Sequence, residues 1–302
     1  MLERLARLLW VLVPAWFVII SLMRLSALAQ FGEPGYDGML YRAATIRWLE
    51  GGDPWLIPQS GAVYAAPPPT LLAMLPFALV PEILARPLLL ALGGAATIWM
   101  LRRLRLPLWW LAFPPLVDVL WNGNPHVFVA PLLVAGLAPL AAFVKLYAGA
   151  VPAIRLDWKA LAATAALLLV TLPFLPWGLF IERWPEVSRA LNDQSAGGGL
   201  SVWVTPLLLP VAVVAGLLLG RERLAWWAIP VFWPFTQWYY SSITLPVLTP
   251  LAAVALSIPV PGATTVGLVI AVAEAYWKSR QKREADRLQE QPNADPMLSS
   301  PE

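Results

Sequence analysis

The sequence has no cysteine, one histidine and few charged residues. The lack of cysteine among 302 residues excludes disulfides and thiolate-bound metal, and it leaves the redox compartment open. Charged residues make up 13%, against roughly 25% in a soluble domain, while hydrophobic residues make up 59% and the mean hydropathy is +0.66. The net charge of +3 comes with basic residues at the ends of apolar runs, which indicates topology rather than a nucleic-acid surface. The composition predicts an integral membrane protein.

The apolar residues fall into ten runs, several of them shorter than a straight helix needs to cross a hydrocarbon core of roughly 30 Å. They cover 8–29, 68–82, 84–101, 107–121, 125–142, 160–180, 201–219, 225–240, 243–259 and 262–277. We expect an all-α polytopic bundle, residues 1–277, with about nine (8–10) transmembrane helices. The first run follows Arg4 and Arg7, so it is interpreted as a retained anchor with a cytoplasmic amino terminus; a cleavable signal peptide is the alternative.

The basic clusters set the expected orientation in the plasma membrane. The positive-inside rule places three of them in the cytoplasm: Arg102 to Arg105, Arg155 with Lys159, and Arg221 with Arg223. The loops 30–67 and 181–200 then lie on the outer side. The side of the charged, partly disordered tail 278–302 stays open, as do the crossings near 68–101 and 243–277.

Proline and tryptophan are both frequent. Many of the 31 prolines lie inside apolar runs, where each removes a backbone donor and kinks or ends a helix. Broken helices at membrane depth are tolerated where they face protein or a wet cavity, so a cavity is expected. The 17 tryptophans fall largely at run ends and indicate interfacial belts.

The outer loop 30–67 carries the most distinctive polar pattern. Asp37 precedes a segment, 38–50, whose apolar residues recur at helical spacing, which predicts an amphipathic helix lying at the membrane surface. Asp37 has two interpretations: a helix N-cap or a catalytic carboxylate.

Other polar residues stand in or beside apolar runs. Lys145 must extend to the interface, pair with an acid or face a cavity. Asp118 and Asn122, four residues apart, share a helical face, and Asn124 lies in the turn that follows. His126, the only histidine, is either a polar junction residue or a base.

The order of these features resembles the polyprenyl-phosphate-mannose-dependent mannosyltransferases, glycosyltransferase family 87, within the C-type (GT-C) membrane superfamily. The resemblance runs with gaps from about residue 8 to 255. Its residues are Asp37, Tyr41, Ala43, Ala44, Leu49, Gly51, Asp53, Pro54, Trp55, Tyr64, Pro67, Pro68, Leu79, Pro81, Gly123–Asn124, Lys145–Tyr147 and Gln237–Tyr240. This chain departs from the pattern by two alanines inserted after Tyr64, by Gly-Asn in place of Gly-Gln, and by a shortened segment after Pro125. It is thus similar to a short, partly divergent member.

The resemblance implies an inverting hexosyltransferase that uses a polyprenyl phosphate hexose, with mannose expected, at the outer face of the membrane. Asp37 is then the general base that takes the proton of the acceptor hydroxyl. Lys145 is the first candidate to hold the donor phosphate, with Arg42 or Arg47 second. The further substrate-binding candidates are Tyr41, Tyr64, Asp118, Asn122, Asn124, His126 and Trp238. The outer loop contains no D-x-D pair, so neither a metal nor another cofactor is expected.

The expected partners are the bilayer, the lipid-linked sugar donor and a glycan or glycolipid acceptor. Two other classes of protein fit the same composition. A lipid or solute transporter would also use kinked helices and a buried lysine, and a non-catalytic GT-C-like membrane scaffold would keep the tryptophan belts. The identity of the acceptor, the hexose and the oligomeric state are open at this point.

Overall fold

The computed structural model describes residues 2–56 and 64–290, and this part of the chain is built from α-helices and 3-10 helices joined by turns and loops, without a strand. The α-helices are α1 Leu2–Phe31, α2 Tyr36–Leu49, α3 Pro69–Ala78, α4 Glu82–Arg103, α5 Pro114–Asn122, α6 Val129–Val134, α7 Ala138–Val144, α8 Ala150–Arg155, α9 Trp158–Thr171, α10 Trp177–Gly198, α11 Leu209–Leu219, α12 Arg221–Phe232, α13 Pro250–Leu256 and α14 Ala263–Glu290. Shorter 3-10 helices lie at Leu108–Ala112, Pro125–Phe128, Leu146–Gly149, Pro206–Leu208 and Trp238–Val247. The expected all-α fold class is confirmed at this level.

Within the described residues, two helical segments are long and apolar enough to cross a membrane. They are Val11–Gln30, of 20 residues, and Glu82–Arg103, of 22 residues. Shorter apolar helical segments, of 10 to 17 residues, lie at Pro69–Ala78, Pro125–Val134, Trp158–Thr171 and Pro206–Leu219. The helix lengths and compositions therefore support two candidate spans. The count of about nine crossings stays a prediction.

Proline placement explains why so many helices are short. Pro114 and Pro125 each stand in the first turn of a helix, where a missing backbone N–H has no cost. Pro76 and Pro230 lie inside α3 and α12, close to the carboxyl end of each helix. These four prolines thus lie near helix ends, in line with the expected helix breaks, whereas Pro14 and Pro87 lie inside the long helices α1 and α4 without ending them.

Residues 181–200, which were expected to form a second outer loop, are mostly helix. They lie largely within α10, where Phe180, Trp184, Val187 and Leu191 recur at helical spacing. Val187 is buried, while Trp184 is exposed. These apolar residues form one packing face of α10. The charged residues between them in the sequence make this helical spacing hard to recognise. Parts of the predicted outer loop and of the predicted tail, residues 57–63 and 291–302, lie outside the described residues; residues 278–290 continue α14.

Two hydrophobic clusters fill the interior. The larger joins α1 and α5 to α12, α13 and the long 3-10 helix, with Phe17, Phe113 and Trp227 fully buried at its centre. The smaller lies beneath α2, between α2 and α3, and is built around Tyr64 and Leu71. The smaller cluster fixes the helix that carries Asp37.

The start of α2 lies directly on the turn that ends α5. Gly35, with a φ of 83°, precedes α2, and its N–H donates to the carbonyl of Trp121 at 2.6 Å. A Cβ atom at Gly38 would lie 2.1 Å from Leu89 Cδ2 and 2.7 Å from the carbonyl oxygen of Gly123. Only glycine permits this approach, and the approach brings Asp37 beside Asn124.

Several helices turn large apolar side chains outward. Exposed examples occur on α1 (Val11, Leu22, Met23), α4 (Ile83, Leu84, Leu92), α9 (Leu169, Val170) and α11 (Val214, Leu217, Leu218). A soluble monomer rarely exposes apolar patches larger than a few hundred square ångströms. These faces, together with the two candidate spans, support association with a membrane.

We predict that Gly38→Ala destabilises the protein by about 1–3 kcal/mol, because the added methyl group meets a backbone carbonyl that cannot move aside freely. Thermal unfolding in detergent micelles measures the change. Gly94→Ala is the matched control: a Cβ there meets nothing within 4 Å, and alanine in mid-helix gains about 0.5–1 kcal/mol. Equal stability of the two variants would contradict the close approach of α2 to the α5 turn.

Candidate functional site

Asp37 is the second residue of α2 and does not cap it. The N-cap position is Gly35, and no side chain caps this helix. Asp37 Oδ2 instead accepts a hydrogen bond of 3.0 Å from Asn124 Nδ2. The capping interpretation of Asp37 is therefore wrong, because the chain enters α2 through a left-handed glycine two residues earlier. The Asp37 carboxylate thus contacts Asn124 and not the backbone of its own helix.

Lys145 is buried, with 5% of its surface exposed, at the break between α7 and the next 3-10 helix. Its Nζ donates a hydrogen bond to the hydroxyl of Tyr41 and lies 4.3 Å from the centre of that ring. The Tyr41 hydroxyl compensates in part for the lost hydration of the ammonium group. Of the three expected possibilities for Lys145, it thus faces a cavity while bonded to Tyr41.

Burial and mutual attraction set the protonation of the two groups. Burial lowers the pKa of Lys145 to about 7, and the negative charge of Asp37 opposes this effect. Burial raises the pKa of Asp37, and the Asn124 hydrogen bond and the charge of Lys145 oppose that rise. Each group thus helps to keep the other charged.

Two cavities meet at Lys145. The polar cavity is small, about 60 Å³, and contains Asp37, Tyr41, Asn124 and Lys145 in its lining. The apolar cavity is larger, about 410 Å³, and α10 forms one wall of it through residues such as Phe180 and Trp184. The residues common to both linings are Ala65, Lys145, Leu191, Phe235 and Tyr240. A single cation therefore lies between an apolar space and a carboxylate.

The two arginines expected as second candidates for the phosphate lie elsewhere. Arg42 donates to the carbonyls of Phe77 and Val80, each at 3.0 Å, at the end of α3. Arg47 donates to the carbonyl of Asp53 at 2.8 Å, in the turn after α2. Both bond to carbonyls in this way because the last carbonyls of a helix and those of a turn lack partners within the element. Neither arginine lines either of the two cavities.

Asp118, Asn122 and Trp238 form a separate cluster around Arg24. Asp118 pairs with Arg24 at 3.0 Å and accepts a longer hydrogen bond, 3.4 Å, from Asn122. The Arg24 guanidinium lies 5.5 Å from the ring centre of Trp238. Arg24 was not among the sequence candidates, although an arginine inside the first apolar run was a signal for such a partner.

His126 and Tyr64 are enclosed side chains outside the cavity lining. The His126 ring is bonded to the hydroxyls of Tyr147 and Ser242. Tyr64 is fully buried, with its ring 5.1 Å from that of Tyr41. Of the seven substrate-binding candidates, Tyr41 and Asn124 line the polar cavity.

Sequence reasoning missed part of the lining. Gln237, Tyr239 and Tyr240 face the polar cavity, whereas the predicted Trp238 points away and donates to the carbonyl of Leu256 at 2.8 Å. Phe235 and Leu191 were also missed. The run of aromatic residues at 238–240 was the available signal, but its pattern does not show which member faces inward.

No group of three or more His, Asp or Glu side chains suited to holding a metal ion occurs among the residues described, 2–56 and 64–290. Comparison with known proteins found no matching family model, no matching curated protein and no matching solved structure. The likeness to glycosyltransferase family 87 thus rests on the motif residues alone.

We predict that Lys145 reacts with acetic anhydride with half-maximal labelling near pH 7, because only the neutral amine is nucleophilic and the pKa of Lys145 is about 7. Lys159, which is exposed, is the internal control. Asp37→Asn should shift the Lys145 midpoint downward, since the negative charge that raises its pKa is removed. Peptide mass spectrometry reads both sites, and parallel pH profiles for Lys145 and Lys159 would contradict the site.

Proposed function

We propose that this chain is a polytopic plasma-membrane glycosyltransferase of GT-C type. It transfers a hexose, with mannose expected, from a polyprenyl phosphate to a lipid or glycan acceptor at the outer face. The observation that carries the proposal is the position of Lys145, which lines an apolar and a polar cavity at once. A lipid-linked sugar phosphate needs this sequence of environments: apolar for the isoprenoid, cationic for the phosphate, and polar for the sugar.

The charges in the site favour one type of donor. Lys145 is the one cationic side chain in the lining of the two cavities as far as the structure describes it. One lysine matches a phosphodiester-linked sugar, which carries a single negative charge. A nucleotide sugar has a diphosphate, and the described lining of the apolar cavity offers no cation besides Lys145 for the second phosphate.

The two charged residues take complementary roles in the transfer. Asp37 removes the proton from the acceptor hydroxyl as its oxygen attacks the anomeric carbon. The bond from that carbon to the phosphate oxygen breaks with inversion, and the electron pair leaves with the polyprenyl phosphate. Lys145 stabilises the second negative charge that develops on this phosphate. The proton goes to Asp37, and no metal enters these steps.

The membrane arrangement accords with the same proposal. The outward apolar faces of α1, α4, α9 and α11 would contact acyl chains. Short apolar helices packed in series would complete further crossings beyond the two long spans. In this orientation the amino terminus is cytoplasmic and α2 lies at the outer interface.

The decisive test is transfer of radiolabelled mannose from polyprenyl phosphate mannose in proteoliposomes, with several membrane lipid and glycan extracts as acceptors. Asp37→Asn should lower the rate about 10²–10⁴-fold, because the base is lost. Lys145→Ala should lower it about 10²–10³-fold, because the leaving phosphate loses its cation. Asp157→Asn and Lys159→Ala, both at exposed positions outside the two cavities, are the matched controls and should retain the wild-type rate.

Absence of transfer by the wild-type protein to every extract would refute the enzyme proposal. A lipid or solute transporter would instead move its cargo equally well with Asp37→Asn. A scaffold would tolerate both site substitutions without loss of any activity in the membrane.

A further inference from the structure

The amide of Asn124 has all three of its principal hydrogen-bonding positions engaged. Its Nδ2 donates to Asp37 Oδ2 at 3.0 Å and to the Tyr239 hydroxyl at 3.1 Å. Its Oδ1 accepts from the backbone N–H of His126 at 3.0 Å. An amide nitrogen has two protons to donate, so Asn124 has no donor left for a substrate.

The orientation of this amide is determined by its partners. Exchanging the oxygen and the nitrogen would set two donors against each other, because the backbone N–H of His126 can only donate. With Oδ1 facing His126, both Nδ2 protons must face Asp37 and Tyr239. Asn124 therefore presents a donor to the carboxylate in one orientation only.

The turn that holds Asn124 is itself fixed. Asn124 caps the 3-10 helix Pro125–Phe128, in which Pro125 restricts the backbone. The next residue, His126, is fully enclosed, with its ring bonded to Tyr147 and Ser242. The second acceptor, Tyr239, stacks on Tyr240 with ring centres 5.1 Å apart. Both neighbours of the Asn124 side chain are thus anchored in the interior.

The same contact orients Asp37. The hydrogen bond engages Oδ2, and no residue in the described part of the chain donates to Oδ1. Asp37 is half-buried and lines the polar cavity. A carboxylate held through one oxygen keeps the other available to accept a proton from a hydroxyl in that cavity.

We propose that Asn124 is a positioning residue that aims the Asp37 carboxylate into the polar cavity, and that it does not itself bind substrate. This role rests on the proposed function for its catalytic meaning, but the orientation of Asp37 can be tested without any activity. It replaces the substrate-binding role expected for Asn124 from the sequence.

The electrostatic consequence has a definite sign. The groups that act on Asp37 or that its charge acts on are Lys145, Tyr41, Tyr239, Tyr240 and Asp118, the last of which is paired with Arg24. Burial raises the pKa of Asp37, and the Asn124 bond and Lys145 lower it. Loss of the Asn124 donor must therefore raise the pKa of Asp37, so that more of the carboxyl is protonated at a given pH.

Diazomethane, a reagent of only three heavy atoms that esterifies protonated carboxyl groups, reports the protonation of Asp37 and is small enough for the polar cavity. Peptide mass spectrometry measures Asp37 labelling in the full-length protein between pH 3 and 9. In Asn124→Ser the hydroxyl can still cap His126 but is too short to reach Asp37, and the labelling midpoint should rise by about one pH unit. Asn122→Ser is the matched control, because Asn122 bonds to Asp118 and not to Asp37. In Asn122→Ser, the midpoint of Asp37 labelling should move by less than a third of that shift.

Asn124→Asp is a second variant that keeps the shape and the bond to His126 but places an acceptor against Asp37. The midpoint of Asp37 labelling should rise more in Asn124→Asp than in Asn124→Ser. Because there are two variants, the test remains decisive if Asn124→Ser does not fold. An unchanged midpoint in a folded Asn124 variant would overturn the proposal. So would the absence of Asp37 labelling in the wild-type protein at every pH, because a carboxyl aimed into the polar cavity through Oδ1 must be open to so small a reagent.

Kinetics separate this proposal from the proposed function. A positioning role predicts that Asn124→Ser lowers kcat, leaves the KM for the donor unchanged, and moves the acidic limb of the pH profile upward. A rise in KM with an unchanged labelling midpoint would show that Asn124 binds substrate and would overturn the proposal. A shifted midpoint in a protein without any transfer activity would refute the transferase and leave the positioning of Asp37 intact.

Discussion

The burial of Lys145 and Asp37 in the lining of one small cavity is the constraint on which the rest of the site depends. A charge removed from water is costly unless it is paired and hydrogen-bonded. Lys145 meets this condition through Tyr41 and through the field of Asp37, and Asp37 meets it through Asn124. Each partner comes from a different place in the chain, so the site requires that α2, the α5 turn and the end of α7 meet.

The need to bring α2, the α5 turn and the end of α7 together accounts for the helix ends at the site. A side chain in a continuous helix points away from its axis, whereas a residue at a helix end also brings unpaired backbone groups. Asp37 lies at the start of α2, Asn124 after α5, and Lys145 after α7. Gly38 permits the first two to approach, and the prolines around them begin new helices where the previous ones stop. The short helices are thus the means by which polar groups enter an apolar interior.

Much of this arrangement was predictable, and the parts that were not share a cause. Asp37, Lys145 and the helix after Asp37 stood out because polar residues in an apolar chain need a reason. Arg42 could not be placed, because its carbonyl partners depend on where α3 ends in space. Tyr239 and Tyr240 could not be told from packing residues, since an aromatic side chain in an apolar run fits a core, a belt or a cavity wall equally well. Sequence pattern identifies unusual residues, but the partner of each depends on tertiary contacts.

Helix α10 contacts both the α2 region and the two cavities. Its Arg183 pairs with Asp53 at 2.7 Å in the turn after α2, and its Val187 is buried in the cluster beneath α2. Leu191, one turn further along, lines both cavities. The polar cavity, at about 60 Å³, has room for a few waters, so a sugar requires its wall to move. Leu191 and Phe235 line the apolar cavity as well as the polar one, so the side chains that would have to shift for a sugar are the same ones that a ligand filling the apolar cavity would contact.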